Sequence, residues 1–423
     1  MPTQSSLSSS PSSTPSIRSL AILLAMLVAV APLAIDMYLP AMKIMATDLT
    51  TAIHYVDVSI STFLLGFALG QLLGGPLSDK FGRKPMIAIG LILFSITSLL
   101  LTQTESIEQL LALRALQAIG GGIATVNSSA IIRDLFSGDE MAKVLSMVAI
   151  VMMSAPLIAP LLGSVIITYF DWQTIFLILA IYSASVMALL LLRLPETHKK
   201  QDINGTLASS KPSIKPWHAY KRVLTHPQAM GFVMAISLSF SGMFVFITAS
   251  AFAYMEYFSV SAQLFPFIFG GNILLMMLMN RVNVWALNHY SSVSILKLGL
   301  TLQILCGMGL IIASYFDPTL YLIAALVMVF VGSIGLVAAN ATAGALNFFP
   351  DISGTATAVI GVTEFTLGAL MGILWSLLHE LNFSMTQTHN LSPMAWVMTA
   401  CVVIALLGFS LLSRKPLVQS NTQ

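Results

Sequence analysis

Residues Gly74 to Pro85 read GGPLSDKFGRKP, a stretch in which one acid and three bases interrupt an otherwise apolar sequence. The apolar runs on either side cover about residues 56–79 and 84–103. At a rise of about 1.5 Å per residue, each run is long enough as a helix to cross the roughly 30 Å hydrocarbon core of a bilayer. The pattern therefore predicts two membrane-spanning helices joined by a short basic loop.

The composition of the whole chain is that of a multi-pass membrane protein. Of its 423 residues, 57% are hydrophobic and 9% are charged, whereas roughly 25% of a soluble chain is charged. This excludes a soluble globular protein. The net charge of +2, with no basic stripe, gives no indication of a nucleic-acid partner. Twelve spans are predicted, at about residues 17–43, 56–79, 84–103, 107–134, 142–169, 172–194, 228–257, 262–288, 292–315, 318–348, 353–381 and 393–413.

One long polar stretch, Pro195 to Pro227, divides the twelve spans into six and six. The N-terminal Ser, Pro and Thr residues cannot bury enough apolar area to order themselves. The first apolar run, Leu20 to Ile35, also has the length of a signal peptide, but the eleven runs that follow favour a retained span. We predict an all-α membrane protein with a disordered cytoplasmic tail at 1–16, six helices in 17–194, a cytoplasmic linker at 195–227, six helices in 228–413 and a cytoplasmic tail at 414–423.

Positive charges are distributed unequally between the two sets of loops. Loops rich in Lys and Arg stay in the cytoplasm, and seventeen of the 19 Lys and Arg residues fall in one set. Both termini belong to that set, so both are expected in the cytoplasm. The opposite loops hold Lys43 and the acids Asp48, Asp57, Glu105, Glu108, Asp171, Asp317 and Glu380.

Three ionisable residues fall inside the predicted spans away from their ends, namely Asp36, Arg114 and Glu364. An ionised side chain that faces lipid costs at least about 2.5 kcal/mol, so all three are expected to face the protein interior or a cavity. Asp36 and Arg114 lie at similar depths, about 9 to 10 Å below the outer surface, so they can pair. Asp36 is interpreted as a proton-binding group, with a static structural role as the alternative. Glu364 is either a substrate or proton site or a protonated acid bonded to a neighbouring helix.

Helix-breaking, aromatic and amide residues also have informative positions. Pro156, Pro160 and Gly163 interrupt the fifth span, which indicates either a passive kink or a gating hinge. Aromatic and Met side chains are frequent in the seventh and eighth spans, where most are expected to pack and the rest to give a cavity an adaptable apolar wall. Asn272 and Asn340 are the expected polar contacts. The cysteines and histidines show no metal-ligand spacing, so no metal site is predicted.

Several motifs resemble those of the major facilitator superfamily. GGPLSDKFGRKP has the glycine, acid and basic cluster of the superfamily's signature loop between helices 2 and 3. RALQAIGGG from Arg114 resembles its helix 4 motif, and APLIAPLLG from Ala155 resembles its antiporter motif. DMYLPAM from Asp36 and SGTATAVIG from Ser353 narrow the resemblance to the Bcr/CflA-type drug:proton antiporters. The resemblance covers the chain from the first span to the last.

This resemblance implies two six-helix bundles around a central cavity that opens alternately to either side. It also implies that Asp36 binds the proton and that Arg114 couples its protonation to the bundle. Arg83 would pair with Asp134, and Asp79 would lie near the start of helix 11. The predicted substrate contacts are Asp36, Tyr38, Phe244, Tyr254, Asn272, Met276, Asn340 and Glu364. The predicted gating residues are Asp79, Gly82, Arg83, Asp134, Pro156, Pro160 and Gly163.

The expected function is proton-coupled export of small amphipathic drugs across a bacterial inner membrane, driven by the proton gradient without a cofactor. Import or export of a small metabolite by the same fold is the alternative. The spans contain no convergent nucleophile, base and metal ligands, so a membrane enzyme is not expected. A receptor or scaffold without transport is a further alternative, which labelling of cysteines placed along helices 1 and 7 distinguishes from a transporter. The expected partners are drugs, protons and the lipid bilayer, with no nucleic acid, and the protein is expected to be a monomer.

Overall fold

The computed structural model describes residues 17–193, 216–387 and 390–413. All regular secondary structure in these three ranges is helical. The predicted tails at 1–16 and 414–423 and most of the predicted linker lie outside the described residues. Twelve described segments are long and apolar enough to cross a membrane, which confirms the predicted number of spans.

The described part of the first half, residues 17–193, contains seven α-helices. The first span is broken, because α1 ends at Asp36 and a 3₁₀ turn at Leu39–Ala41 contains Pro40, which cannot donate to a helical hydrogen-bond ladder. The helices are α1 at Ile17–Asp36, α2 at Met42–Asp48, α3 at Ile53–Phe81, α4 at Arg83–Leu101, α5 at Ile107–Leu135, α6 at Gly138–Tyr169 and α7 at Gln173–Arg193.

The second half begins after a short linker helix, α8, at Pro216–Leu224. A π-helical turn at Phe252–Tyr257 extends the first of its spans, and Ser333 interrupts another between two helices. The helices are α9 at Pro227–Ala251, α10 at Phe265–Ala286, α11 at Ser292–Ala313, α12 at Leu320–Gly332, α13 at Ile334–Leu346, α14 at Ser353–Thr386 and α15 at Ser392–Leu412.

Glycines allow the closest helix contacts in the first half. A Cβ on Gly66 or Gly70 of α3 would collide with backbone carbonyl oxygens of α5, and a Cβ on Gly122 of α5 would collide with α3. Between α4 and α5, a Cβ on Gly90 would lie 2.6 Å from the carbonyl oxygen of Gly120. In lipid, where helix association depends on van der Waals packing, small residues at these contacts let the backbones approach.

The two halves meet mainly where α3 packs on α14 and where α6 packs on α10. We call the end that holds the α3–α4 loop and α8 the linker end, and the opposite end, which holds Tyr55 and Glu380, the far end. At the linker end, Arg222 of α8 forms an ion pair with Asp351, just before α14. Positive charge counting predicts that the linker end is cytoplasmic.

Candidate functional site

A cavity of about 1260 Å³ lies between the two halves. Side chains from α1, α3, α5 and α6 line one side, and side chains from α9, α10 and α14 line the other. At its inner limit lie buried residues such as Asp36 and Phe269, whereas at the linker end it is lined by Asp79, whose side chain is 63% exposed. The cavity therefore opens toward the linker end.

The far end is closed by contacts between the halves. Lys43 Nζ of α2 donates a hydrogen bond of 3.2 Å to the carbonyl oxygen of Met255. The Tyr55 hydroxyl of α3 donates a hydrogen bond of 2.9 Å to Glu380 Oε1 of α14. These contacts, together with the opening at the linker end, define one of the two states that alternating access requires.

The wall of the cavity is largely apolar, as predicted for the seventh and eighth spans. Phe244 and Met276, both predicted substrate contacts, line it. Phe365 of α14 lies between the halves, with its ring centroid 4.8 Å from that of Phe67 and 5.7 Å from that of Phe244. Flexible Met and flat aromatic side chains can adapt to ligands of different shape. Further apolar lining residues are Ile35, Met152, Phe240, Met243, Ile247, Ile273 and Ala358.

Asp36 is the acid at the inner limit of the cavity. Its position at the last residue of α1, before the 3₁₀ turn, puts it in the middle of the first span. It lines the cavity but is only 4% exposed. Its buried Oδ1 atom accepts no hydrogen bond from any residue in the described part of the chain. A buried carboxylate without a partner is unfavourable, so the site favours binding of a proton or a cationic ligand.

Arg114 is fully buried in the first half, and no ion pair joins it to Asp36. Its guanidinium donates a hydrogen bond of 3.0 Å to the carbonyl oxygen of Ala34 and another of 2.6 Å to Gln117 Oε1. The guanidinium carbon also lies 4.5 Å from the Tyr38 ring centroid and 4.4 Å from that of Phe63, at cation–π distance. Arg114 and Asp36 thus do not form an ion pair. The guanidinium instead contacts Ala34, two residues before Asp36, and Tyr38, two residues after it.

Five predicted substrate contacts do not line the cavity. The Tyr38 hydroxyl is 2.7 Å from Ser59 Oγ, in the interior of the first half. The Asn340 amide donates a hydrogen bond of 2.6 Å to Asn283 Oδ1 and so connects α13 to α10. Both residues therefore hold helices together and do not contact the cavity.

The other three predicted contacts also lie away from the lining. Tyr254 is buried, with its ring centroid 5.9 Å from that of Phe246. Asn272 is 1% exposed, and neither amide atom has a hydrogen-bond partner in the described ranges. Glu364 is partly exposed on the turn between the lining residues Gly361 and Phe365, and no ion pair of the described residues includes it.

The basic loop has the predicted arrangement at the linker end. Gly82 has φ of 100°, a conformation that favours glycine, and the chain turns there from α3 into α4. Arg83 forms ion pairs with Asp79 at 2.8 Å and with Asp134 of α5 at 3.5 Å. Burial and, secondly, the nearby Asp79 carboxylate raise the pKa of the Tyr220 phenol of α8. The predicted Arg83–Asp134 pair is thus present, and α8 lies close to this loop.

The prolines of the fifth span do not end its helix. α6 runs without interruption through Pro156 and Pro160, and Pro156 lines the cavity. Gly163 packs against the first span so closely that a Cβ there would collide with the carbonyl oxygen of Met37, the residue after Asp36. Whether α6 acts as a hinge stays a prediction.

Comparison with known proteins agrees with this architecture. Residues 24–373 match the Major Facilitator Superfamily.

The chain belongs to the major facilitator superfamily.

Membership confirms the predicted superfamily and makes the protein a membrane transporter rather than an enzyme. The transporter is 34% identical over 388 residues to a bicyclomycin resistance protein homolog of Haemophilus influenzae, a match that covers 91% of this chain and 94% of the relative. It is 30% identical over 361 residues to the multidrug transporter MdfA of Yersinia pestis, a match that covers 80% of this chain and 83% of the relative. A chloramphenicol resistance protein of Pseudomonas aeruginosa is 29% identical over 393 residues, covering 91% and 88%. These relatives confirm the narrower resemblance to drug transporters.

Solved structures confirm the fold. The xylose transporter XylE from E. coli, in a partially occluded inward-open conformation, superposes with a TM-score of 0.71 at 15% identity, covering 92% of this chain and 96% of that one. A bacterial homolog of the human lysosomal transporter Spinster, inward-facing and unoccupied, gives a TM-score of 0.69 at 15% identity. The match covers 95% of this chain and 98% of that one.

Sequence patterns missed two polar residues of the third helix. Gln71 lines the cavity of the transporter, where its Oε1 atom would lie 3.2 Å from a Cβ on Gly361. Asp57 was assigned to a loop, which is wrong, because α3 begins at Ile53 and Asp57 is fully buried in its second turn. His54 could have indicated this position. If the helix begins near Ile53, His54 and Asp57 lie about one turn apart on the same helix face.

Replacing Arg83 with Ala is expected to lower the transport rate several-fold while changing stability little. The pairs of Arg83 with Asp79 and Asp134 are partly exposed, and exposed ion pairs contribute about 0–1 kcal/mol each. They also join the loop to α5, so their loss should disturb the conformational change. Initial transport rates and thermal stability of Arg83→Ala and Arg83→Lys measure this.

Lys84→Ala is the matched control, because Lys84 is a base of the same loop with no ion pair among the described residues. Arg83→Lys is expected to rescue only partly, since one ammonium cannot hold two carboxylates as a planar guanidinium does. Wild-type rates in Arg83→Ala would exclude a role for this loop in transport.

Proposed function

We propose that this transporter exports small amphipathic compounds in exchange for protons. The observation that carries the proposal is the Asp36 carboxyl at the inner limit of a largely apolar cavity of about 1260 Å³, where its Oδ1 atom has no hydrogen-bond partner among the described residues. A cavity of this size has room for a drug-sized molecule, since ligand pockets measure about 300–1,000 Å³.

The chemistry of Asp36 supports exchange rather than simple binding. A carboxylate in a site with little water is stabilised either by a proton or by a cationic or hydrogen-bonding group of the ligand. The two occupants therefore compete for one acid. A proton that displaces the ligand on one side of the membrane, and a ligand that displaces the proton on the other, give antiport.

Arg114 provides a mechanical connection for this exchange. It donates to the carbonyl of Ala34, two residues before Asp36, and stacks on Tyr38, two residues after it. A change in the charge of Asp36 alters its attraction to the guanidinium through the intervening backbone. The segment on either side of Asp36 also contacts α2, α6 and α9, so its movement can bias the packing of the two halves.

The substrate class follows from the wall of the cavity and from the relatives. Aromatic and Met side chains with few hydrogen-bonding groups suit apolar or amphipathic compounds of varied shape. The relatives are named for resistance to bicyclomycin and chloramphenicol and for multidrug transport, and we extend drug export to this chain. We place it in a bacterial inner membrane as a monomer, with both termini and the linker end in the cytoplasm.

The proposal predicts proton-driven accumulation of drugs in inverted membrane vesicles. Vesicles from cells that express the protein, energised to an acidic interior, are expected to accumulate ethidium and radiolabelled chloramphenicol several-fold above vesicles without it. Nigericin, which removes the pH gradient, is expected to release both probes. The measurements are ethidium fluorescence and retained radioactivity.

Accumulation that persists after nigericin would contradict proton coupling. Absence of any accumulation of both probes, with correctly inserted protein, would contradict drug export and favour transport of a metabolite instead. Vesicles that contain Lys84→Ala protein are expected to accumulate both probes as wild type does, because Lys84 lies outside the cavity.

A further inference from the structure

A second acid is buried in the membrane-spanning part of the transporter, away from the cavity. Asp57, in the second turn of α3, has no exposed surface. Neither of its carboxyl oxygens has a hydrogen-bond partner among the residues that the structure describes, and none of the ion pairs there includes it. Asp36 lines the cavity whereas Asp57 does not, so the two acids belong to different sites.

Two hydroxyl groups that lack a hydrogen-bond partner among the described residues lie at the interface of the halves, one of them a helical turn from this acid. Ser61 is one helical turn after Asp57 on the same face of α3. A Cβ on Gly372 of α14 would collide with Ser61 Oγ and would lie 3.1 Å from Thr248 Oγ1 of α9. Ser61 and Thr248 are fully buried, and within the described ranges neither hydroxyl oxygen has a partner.

The register of the α3–α14 interface places Asp57 inside the far-end closure. The His54 and His379 rings face each other across the interface, with centroids 5.6 Å apart. One turn beyond Asp57, Ser61 meets Gly372. Because α3 and α14 run antiparallel, the level of Asp57 lies between these two contacts. Asp57 has no exposed surface, so water reaches it only when the far-end packing of α3 on its neighbours, of which α14 is a principal one, opens.

No basic side chain of the described residues forms an ion pair with Asp57. Lys43 of α2 donates instead to the carbonyl oxygen of Met255, while Glu256 of the π-helical turn and the Tyr38 phenol lie close enough to Asp57 to interact with its charge. His54 on its own helix and His379 on α14 are the titratable groups toward the far surface. Arg114 of α5 stacks on the other side of Tyr38 and donates to Ala34.

An ionised carboxylate in such surroundings is strongly unfavourable, whereas a protonated one is neutral and costs much less to bury. In contact with water at neutral pH the same group is ionised. We propose that Asp57 is a second proton-binding site, which takes up a proton when α3 and α14 close the far end and releases it when they part.

The consequence is that the conformational equilibrium depends on the pH at the far end. The closed far end holds one more proton at this site than the open far end, so acid favours closure. For one proton, the ratio of closed to open transporter changes up to tenfold for each unit of pH. The assignment of the far end to the outside of the cell rests on the proposed function. The dependence of far-end closure on pH does not rest on it.

The test measures the opening of the far end directly and requires no transport. Spin labels on Gln103 and Ser384, exposed on the two halves at the far end, report their separation by double electron–electron resonance. The two native cysteines, Cys306 and Cys401, are buried, and both are replaced by Ala in every protein. All proteins carry Asp36→Asn, which removes the titration of the cavity acid, and are measured from pH 5.5 to 8.5.

In this Asp36→Asn protein, the closed fraction is expected to fall as pH rises, with a slope approaching tenfold per unit. Adding Asp57→Asn is expected to abolish the slope and keep the far end closed, because the amide is always neutral. Asp57→Glu is expected to retain a slope, and Asp48→Asn, a far-end acid bonded to Trp172 instead, is expected to leave it unchanged.

An equal slope with and without Asp57→Asn overturns the proposal. A slope that survives Asp57→Asn but disappears in His54→Gln/His379→Gln assigns the proton to the histidine pair and also overturns it. Closure driven by added NaCl at constant pH and ionic strength would identify a sodium site in its place. Failure of drug export with a normal Asp57-dependent slope would contradict the proposed function alone.

Discussion

Asp36→Asn is expected to abolish proton-driven export and leave the transporter folded. The amide is almost isosteric with the carboxyl group, so packing at the end of α1 is preserved. It cannot bind or release a proton, and it cannot balance the charge of a cationic ligand. Since Asp36 is the buried acid that lines the inner limit of the cavity, ethidium accumulation driven by a pH gradient should fall to the level of vesicles without the protein.

Proton release gives the sharper measurement of the same substitution. On addition of ethidium to purified wild-type protein in weakly buffered detergent at pH 7, about one proton for each bound ligand is expected from a single competing acid. Asp36→Asn is expected to release none. Glu364→Gln is the matched control, because Glu364 is also an acid in a span but does not line the cavity, and it is expected to release protons as wild type does.

Two outcomes would contradict the assignment of Asp36. One is wild-type export by Asp36→Asn, and the other is loss of proton release in Glu364→Gln together with normal release in Asp36→Asn. Thermal unfolding and elution from size exclusion confirm that both proteins are folded. If wild-type protein binds ethidium but releases no proton, the result supports the cavity as the ligand site and contradicts antiport.

Gly163→Ala is expected to destabilise the transporter and to reduce transport strongly, although it adds one methyl group. The new Cβ would collide with the carbonyl oxygen of Met37. Backbone atoms cannot change rotamer to make room, so α6 and the first span must separate. Overpacking of this kind costs about 1–3 kcal/mol, and because Met37 follows Asp36, the separation also displaces the acid.

Gly75→Ala is the matched control for this prediction. Gly75 is also in the interior of a long helix, α3, but a Cβ there would have no atom within 4 Å. Ala is favoured over Gly in a helix by about 0.5–1 kcal/mol, so Gly75→Ala should be neutral or slightly stabilising. Melting temperatures and ethidium accumulation of the two variants test the contrast, and equal behaviour would mean that the Gly163 contact relaxes without cost.

The spans and the charged loop follow from local pattern, because the bilayer imposes both. A helix must be apolar for about 20 residues to satisfy its backbone within hydrocarbon, so twelve runs predict twelve spans with ends only a few residues from those observed. The Arg83 and Asp134 pair was predicted only through the resemblance of this loop to the signature loop of the superfamily. Asp57 was misassigned for a related reason: hydropathy places a polar first turn outside the membrane.

Partners of buried polar residues were not predictable from such patterns. Tyr38 and Asn340 have the chemistry of ligand contacts, yet they bond to Ser59 and Asn283 inside the helix packing. Arg114 has the charge and depth to pair with Asp36, yet it bonds to Ala34. Hydropathy places a residue at a depth, but the rotation of each helix about its axis decides what the side chain meets.

The order of apolar and charged residues along this chain was sufficient to specify a twelve-span transporter, its two halves and its one basic signature loop, because lipid accepts few alternatives for an apolar helix. Tertiary packing decided which acid of the spans faces the cavity and which is buried at the far end. The reason is that these environments depend on contacts between residues such as Ser61 and Gly372, which are more than three hundred positions apart in sequence and meet only when the halves close.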